Sequence, residues 1–525
     1  MSILKVLLLA FFLVLFTTGN SQSQRNISQR FFTGYYAAPP HPLERWNNMY
    51  VERRDTGLYF SERIYSNYDF QVTQTATLCD TTGTPLLLWQ GCAILDPATM
   101  QPIENGDFSN TIGTKSATKY NFCGKTHWPT DLDPDSLTRT YSITYSTFFL
   151  ERGNPRDILL VYYRYLDQEQ STIDSFYIYT AAIDLSGGEN QKPRVKYKDS
   201  LAVGPINLRF GSIHAVRHAN GKDWWIVFAE NYTANWYSAL YDGDGVHTPL
   251  RSVISEWDLT NYNDGISAVS PNGKLFAMIA LQENRFLLLN FDRCEGIYTY
   301  KALERIPAID AGTAYFRNIE FSPTGRYLYV NTPVRIFRYD TEADDIHSSG
   351  TMVARFDTSK MNDLPWEGYI SMPIRGFDGK MYYWSLNGVR RIHRIAYPDA
   401  EDPAAVGWTQ DYYTTPIYIP WMIPTLIDYD MGPLLGVPCT GAVHTGAQRQ
   451  DWPLYPNPTS SMVRCDAVPD TYLQEQLEIL DSRGQSHMQF TGAELLHGIS
   501  VALLPPGVYI IKTKDSVLGR FVRIE

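Results

Sequence analysis

The chain has 525 residues, with 45 Lys and Arg against 56 Asp and Glu, for a formal charge of −11. Phosphate binding needs concentrated basic side chains and no basic cluster occurs, so nucleic acid is excluded as a partner. Thirty-six Tyr, 24 Phe and 12 Trp stand with 36 Gly and 31 Pro, and amphipathic helical stretches are nearly absent; this predicts an all-β fold of short strands and tight turns.

Residues 1–5 carry one positive charge, 6–16 are apolar, and 17–24 are small and polar. That is the pattern of a signal peptide, with cleavage expected before Gln24 or Gln22. A bilayer span needs about 20 apolar residues, so the apolar run is too short to hold the chain in a membrane. No transmembrane anchor is expected. Residues 24–438 are read as the body, 439–451 as a linker and 452–525 as a small C-terminal β domain.

The body repeats. Asn220-Gly-Lys-Asp-Trp-Trp-Ile-Val-Phe228, Asn272-Gly-Lys-Leu-Phe-Ala-Met-Ile279, Thr324-Gly-Arg-Tyr-Leu-Tyr-Val330 and Asp378-Gly-Lys-Met-Tyr-Tyr-Trp384 align on Gly221, Gly273, Gly325 and Gly379, at steps of 52, 52 and 54 residues. Such steps carrying strand pairs are the signature of β-propeller blades, each too thin to bury its own faces until neighbours stack on it. Fainter copies around Gly83 and Gly153 bring the count to six. A seventh blade is expected from strands within 31–78 joined to the Tyr-rich stretch 412–429. The reading is about seven blades, with six or eight as alternatives. Trp224 and Trp225 point to opposite faces of their strand, so at least one is expected in the core.

Chemistry is hard to find in linear motifs. There is no Gly-x-Ser-x-Gly elbow, no His-Glu-x-x-His and no Cys-x-x-Cys, and Gly124-Lys-Thr126 lacks the rest of a phosphate loop. His214 and His218 have i, i+4 spacing, but on a strand four residues span about 13 Å, too far for two ligands of one zinc. They read as hydrogen-bonded blade histidines. Asp131, Asp133 and Asp135 mimic the start of a calcium loop that Pro134, Ser136 and Ser142 break, and Asp242 and Asp244 read as turn residues. No catalytic residue, metal or cofactor is assigned. Trp408, Tyr412, Tyr413 and Trp421 are the candidate ligand platform, with filling between blades as the plain alternative. Of the six cysteines, Cys92 and Cys123 are the best disulfide pair, closing a loop worth about 3–4 kcal/mol; two separately buried thiols are the alternative.

The C-terminal stretch opens with Trp452-Pro-Leu-Tyr-Pro-Asn-Pro-Thr459, continues through Leu477-Glu-Ile-Leu-Asp-Ser-Arg-Gly484, and closes with Leu504-Pro-Pro-Gly-Val-Tyr-Ile-Ile511 and a final strand. Apolar runs of strand length between Gly and Pro turns predict a small β-sandwich-like module. These pieces resemble the C-terminal sorting domain of type IX secretion in Bacteroidota. The matching residues are Tyr455, Pro456, Asn457, Pro458, Asp481, Gly484, Gly507, Val508 and Tyr509. In the body, Val269-Ser-Pro-Asn-Gly-Lys274 and Phe321-Ser-Pro-Thr-Gly-Arg326 are similar to turns of WD-like and TolB-like propellers. The whole resembles secreted Bacteroidota propellers that carry such a tail. The resemblance implies export through the periplasm, a type IX outer-membrane machinery as partner, and an extracellular or outer-membrane-surface location after tail removal.

The functional expectation is a binding module for an unknown glycan or protein ligand. The alternative is a secreted glycan-active lyase or hydrolase using carboxylates at the propeller channel. Acidic residues converging there with Arg or His would favour catalysis; an apolar or Tyr-lined mouth would favour binding.

Overall fold

The computed structural model describes residues 30–34, 47–54, 56–64, 76–80, 84–89, 93–108, 147–152, 154–166, 175–209, 211–257, 266–280, 284–307, 318–360, 370–385, 390–415, 427–428, 431–434, 439, 454, 456–457, 459–465, 468, 472–481, 485–513 and 517–524. They fall into two compact units, 1–437 and 438–525.

The first unit is a β-propeller. Its turns follow from the repeated glycines. Gly221, Gly273, Gly325 and Gly379 all have positive φ, between 69° and 82°, which only glycine adopts without strain. Three of these turns close by a bond from the glycine N–H to the carbonyl three residues earlier, at His218, Ser270 and Ser322. Each turn folds the innermost strand back on the second, and the remaining strands continue the meander. Residues 214–253, 267–305, 318–355 and 370–414 form four such antiparallel sheets. Upstream, 76–107 and 148–206 form two four-stranded meanders joined at their rims by the single parallel bridge Arg194↔Glu104, and 30–64 form a three-stranded one. The described residues therefore contain seven blades.

The ring closes through neighbouring faces. Trp224 Nε1 of blade four donates to Glu151 O of blade three at 2.7 Å. A Cβ on Gly57 of blade one would come within 3.2 Å of the Tyr382 hydroxyl of blade seven. The expected shared blade is corrected here. Blade one is built from Arg30–Gly34, Asn47–Arg54 and Gly57–Ile64, whereas Tyr412 and Tyr413 belong to Trp408–Thr414, the outermost strand of blade seven. That strand pairs with the nearby Arg391–Ile395, and closing a short loop costs less entropy than joining the two chain ends. Residues 416–426 lie outside the described residues.

Both Trp224 and Trp225 are fully buried, because each face of a blade packs on a neighbour. Gly296 of blade five is what admits Trp225, since a Cβ there would meet the indole ring at 2.6 Å. Cys294 and Cys439 are disulfide sulfurs; Cys79 and Cys465 are buried. The expected Cys92–Cys123 pair lies outside the described residues. Among the described residues no helix is long and apolar enough to cross a membrane.

The second unit is a small β-sandwich-like domain. A four-stranded sheet, ordered Ser486–Thr491, Gln476–Asp481, Gly507–Lys512, Val517–Arg523, is accompanied by a two-stranded one of Met462–Val463 and Ile499–Ser500. Leu477, Ile479, Tyr509, Ile511 and Phe521 centre its own buried core. The short helix Gly492–His497 starts at a capping box of Thr491 and Glu494, which satisfies the first exposed N–H groups reciprocally.

Candidate functional site

Alignment on the turn glycines places four inner strands in register: His214–Arg217, Ser267–Val269, Asn318–Phe321 and Ile370–Arg375. Polar side chains from all four blades meet on this inner side. Arg375 has Nε 3.3 Å from Glu320 Oε1 and Nη2 2.6 Å from Asp428 Oδ2, and Nη2 also donates to Val269 O at 3.3 Å. One guanidinium thus bridges blades five, six and seven. The side chains of Arg375, Glu320 and Asp428 keep 14%, 18% and 29% of their surface in water, so the cluster is partly open. Burial alone would lower the Arg375 guanidinium, but Asp428 and then Glu320 more than offset it and hold it above its ordinary value.

His214 lies beside this group, with Nε2 2.8 Å from Ser267 Oγ and 3.1 Å from Ser267 O. The Ser267 hydroxyl donates to Gly211 O, so Nε2 must be the donor in the histidine–serine pair and Nδ1 carries the lone pair. Burial pushes the imidazole down to about 4, opposed by the Ser267 carbonyl and reinforced by the Arg375 charge. At neutral pH the ring is uncharged. Ser267 is not primed for attack, because its proton is held by a backbone carbonyl rather than by a base.

A second constellation has the look of a hydrolytic triad and lacks its logic. In blade seven Ser385 Oγ is 3.0 Å from His393 Nε2, and Asp411 Oδ1 is 3.6 Å from His393 Nδ1. The Asp411 backbone N–H, however, donates to Nδ1 at 2.9 Å, which fixes the proton on Nε2. His393 therefore donates to Ser385 and cannot act as its base. Both side chains are wholly buried. The arrangement satisfies buried polar groups inside a blade.

The segment after the last blade runs back across the ring. Asp428 holds Arg375 of blade seven. Met431 is buried in the core shared by blades four and five. Gly432 O accepts from Arg293 Nη2 at 2.8 Å, and Leu434 N donates to Ala219 O at 2.9 Å. Arg293, almost fully buried, also donates to Arg217 O at 2.7 Å, Asn272 O at 3.0 Å and His218 O at 3.4 Å. All these contacts lie where the inner strands end, so residues 427–428 and 431–434 strap that mouth of the ring.

The residues singled out from sequence are distributed as follows. His218 is hydrogen-bonded at both ring nitrogens, to Cys294 O and from Asn220 N. Asp242 caps its own turn, accepting from Asp244 N at 2.8 Å. Trp408 packs edge-on against Tyr383 and tilted against His393. Tyr412 is 43% exposed with the Arg394 guanidinium 3.8 Å from its ring centre, and Tyr413 is 39% exposed. Trp421, like the loop with Asp131, Asp133 and Asp135, lies outside the described residues. In the second unit Asn457 Oδ1 accepts from Val522 N at 2.9 Å, and Asp481 accepts from Gln485 N at 3.0 Å. Gly507, Val508 and Tyr509 lie in one strand, and the Tyr509 hydroxyl donates to Pro505 O at 2.7 Å. Pro456 is an exposed bend; Tyr455, Pro458 and Gly484 lie outside the described residues.

Sequence reasoning missed Glu320, Arg375 and Asp428. A signal for Glu320 existed: five residues before the turn glycine the other three repeats carry Val216, Ala268 and Ile374. A lone carboxylate at an otherwise apolar blade position marks a site. Asp428 lies outside the repeat and has no such counterpart.

No protein-family model matches the chain, and no curated protein matches it in sequence. Among solved structures it is similar to a putative 6-phosphogluconolactonase from Bacteroides uniformis, at 12% identity over 74% of this chain and 97% of that one, with a TM-score of 0.37. It is also similar to a Pseudomonas aeruginosa periplasmic gluconolactonase, at 9% identity over 75% and 83%, with a TM-score of 0.34. A third is a putative 6-phosphogluconolactonase from Bacteroides fragilis, at 8% identity over 75% and 98%, with a TM-score of 0.33. No role for any residue here follows from them.

Proposed function

We propose that this chain is an exported propeller that works by binding, delivered by type IX secretion to the extracellular side or outer-membrane surface and separated there from its sorting domain. The convergence of acids with an arginine and a histidine is the pattern expected of catalysis, and what supports binding instead is that Glu320 and Asp428 are both committed to the Arg375 guanidinium. A glycosidase needs two carboxyl groups facing one another across a bond, about 5–10 Å apart and free to exchange protons. Here both carboxylates are turned onto one guanidinium. Neither His214, which is neutral with Nε2–H committed to Ser267, nor Ser267 itself supplies a nucleophile–base pair. The separable tail is supported by its self-contained core, which starts at Leu454, whereas the buried clusters of blades four to seven use nothing beyond Met431.

The enzyme reading keeps one observation in its favour, the convergence itself: two acids, an arginine and a histidine on the inner ring. One experiment addresses both. Protein recovered from the surface fraction of a secretion-competent host is analysed by mass spectrometry and then taken through a glycan and protein binding screen with product analysis. Expected are an N-terminus near Gln22 to Gln24, a C-terminus upstream of Trp452 within Thr440 to Gln450, and saturable binding without turnover. An intact tail overturns the delivery reading, and product formation overturns the binding one.

A further inference from the structure

We infer that a recess on blade seven, built around Tyr397, is a carbohydrate-binding site. This rests on the binding reading above and names its ligand class. The recess is shallow and open to solvent, with a volume of about 690 Å³, and is lined by Tyr397, Ala400, Ala405, Lys380 and Asp399 among others. Tyr397 keeps 65% of its surface in solvent. Its ring rests on Gly407, where a Cβ would come within 3.1 Å of Cδ2. Glycine is required there on two counts, since its φ is +69°.

The loop that carries this ring is held rigid by blade six. The Tyr329 hydroxyl donates to Pro398 O at 2.6 Å, Arg338 donates to Ala400 O and, at 2.9 Å, to Glu401 O, and Thr324 donates to both oxygens of Asp399, from its N–H at 3.2 Å and from its hydroxyl. Within the loop, Asp402 caps the 3-10 turn Pro403–Ala405 by accepting from Ala404 N at 2.9 Å. A solvent-facing aromatic ring on a loop fixed from a neighbouring blade is preorganised, so binding forfeits little ordering entropy. The chemistry fits a sugar ring: an aromatic surface for its C–H face, and beside it an ammonium and a carboxylate. Asp399 has about four acceptor sites of which Thr324 fills two, leaving capacity for vicinal hydroxyls, and Lys380, whose Nζ donates to Asp378 Oδ2 at 2.6 Å, keeps two further N–H donors for ring or hydroxyl oxygens. An apolar ligand surface would desolvate the Asp399 carboxylate and the Lys380–Asp378 ion pair without replacing their water, which is costly.

The test is affinity gel electrophoresis of the mature protein, and of its Y397A and Y397W variants, in soluble xylan, laminarin, pullulan and hydroxyethyl cellulose, followed by calorimetric titration with hexasaccharides of whichever retards it. Tyr397 is exposed, so its variants should keep the wild-type urea midpoint. Expected are retardation by at least one polysaccharide, an affinity loss of about tenfold or more in Y397A, as for truncated aromatic anchors elsewhere, and retention in Y397W. Equal binding by Y397A removes the site and leaves the binding reading standing. Binding only to proteins in the wider screen overturns the carbohydrate assignment, and binding to nothing overturns both.

Discussion

Replacing Arg293 by Met should loosen the ring without touching a blade sheet. The side chain is 3% exposed and donates to four backbone carbonyls, on Arg217, His218, Asn272 and Gly432, which tie blade four, the blade-five turn and the strap together. Three of these bonds are 3.0 Å or shorter, and at about 2 kcal/mol for each bond with a charged donor they contribute about 6 kcal/mol. Against that stands the cost of burying the charge. Burial, with Arg217 repulsion second, pushes Arg293 down to about 10 from 12.5, which corresponds to about 3 kcal/mol. The net loss in R293M is therefore about 3 kcal/mol, since Met keeps the stem packing that brings Arg293 Cδ against Gly273. Urea unfolding followed by tryptophan fluorescence reads this cleanly, because every tryptophan except Trp452 lies at or before residue 421. The midpoint should fall at unchanged slope. A variant within about 0.5 kcal/mol of wild type, the range of ordinary surface substitutions, would refute the strap as a structural lock.

His214 should make the protein acid-labile. Its pKa is lowered to about 4 in the fold against 6.5 when unfolded, so the unfolded state binds the extra proton in between; the contribution is fully present above about 6.5 and at most about 3 kcal/mol is lost as pH falls toward 4. H214N should flatten the stability–pH slope over that window by up to one proton, and an unchanged slope would mean His214 does not titrate there. Gly273→Ala and Gly379→Ala separate backbone strain from crowding in thermal unfolding. Both glycines have φ near +70°, but a Cβ at 379 meets nothing within 4 Å while one at 273 would meet Met431 Sδ at 2.7 Å and Val216 Cγ1 at 2.8 Å. The expected costs are about 1 kcal/mol at 379 and about 3 at 273; equal costs would sink the strap packing. A fluorophosphonate probe should leave Ser385 unlabelled in the native protein, and stoichiometric labelling found by peptide mass spectrometry would reverse the tautomer assignment for His393.

The architecture was legible because propellers write their turns into sequence. Four glycines at near-constant steps needed positive φ, and each has it. The expectation that at least one of Trp224 and Trp225 lies in the core holds for both: a blade is covered on both faces, so alternation does not sort inside from outside. Ring closure was misjudged because the strand 408–414 pairs locally, and nothing in a Tyr- and Pro-rich stretch announces which partner it takes. The inner-ring cluster was invisible for a further reason. Its members stand 55 and 53 residues apart, at Glu320, Arg375 and Asp428, and only the closed ring brings them within bonding distance. Tyr397 was passed over because the aromatic density downstream at 408–421 drew attention to side chains such as Trp408, whose ring packs against Tyr383 and His393.

The strap lies over one mouth of the inner ring. Asp428, Met431, Gly432 and Leu434 bind at the ends of the inner strands, over Arg375, Gly273, Arg293 and Ala219. The other mouth is where those strands begin, at His214, Ser267 and Asn318. Among the described residues Asn318 Oδ1 is buried there without a hydrogen-bond partner, as is Asn331 Oδ1, its cross-strand partner. Buried acceptors left unmatched are costly, and two side by side in blade six ask for a shared donor such as an ordered water. The charged cluster is thus covered on one side by the strap, through Asp428.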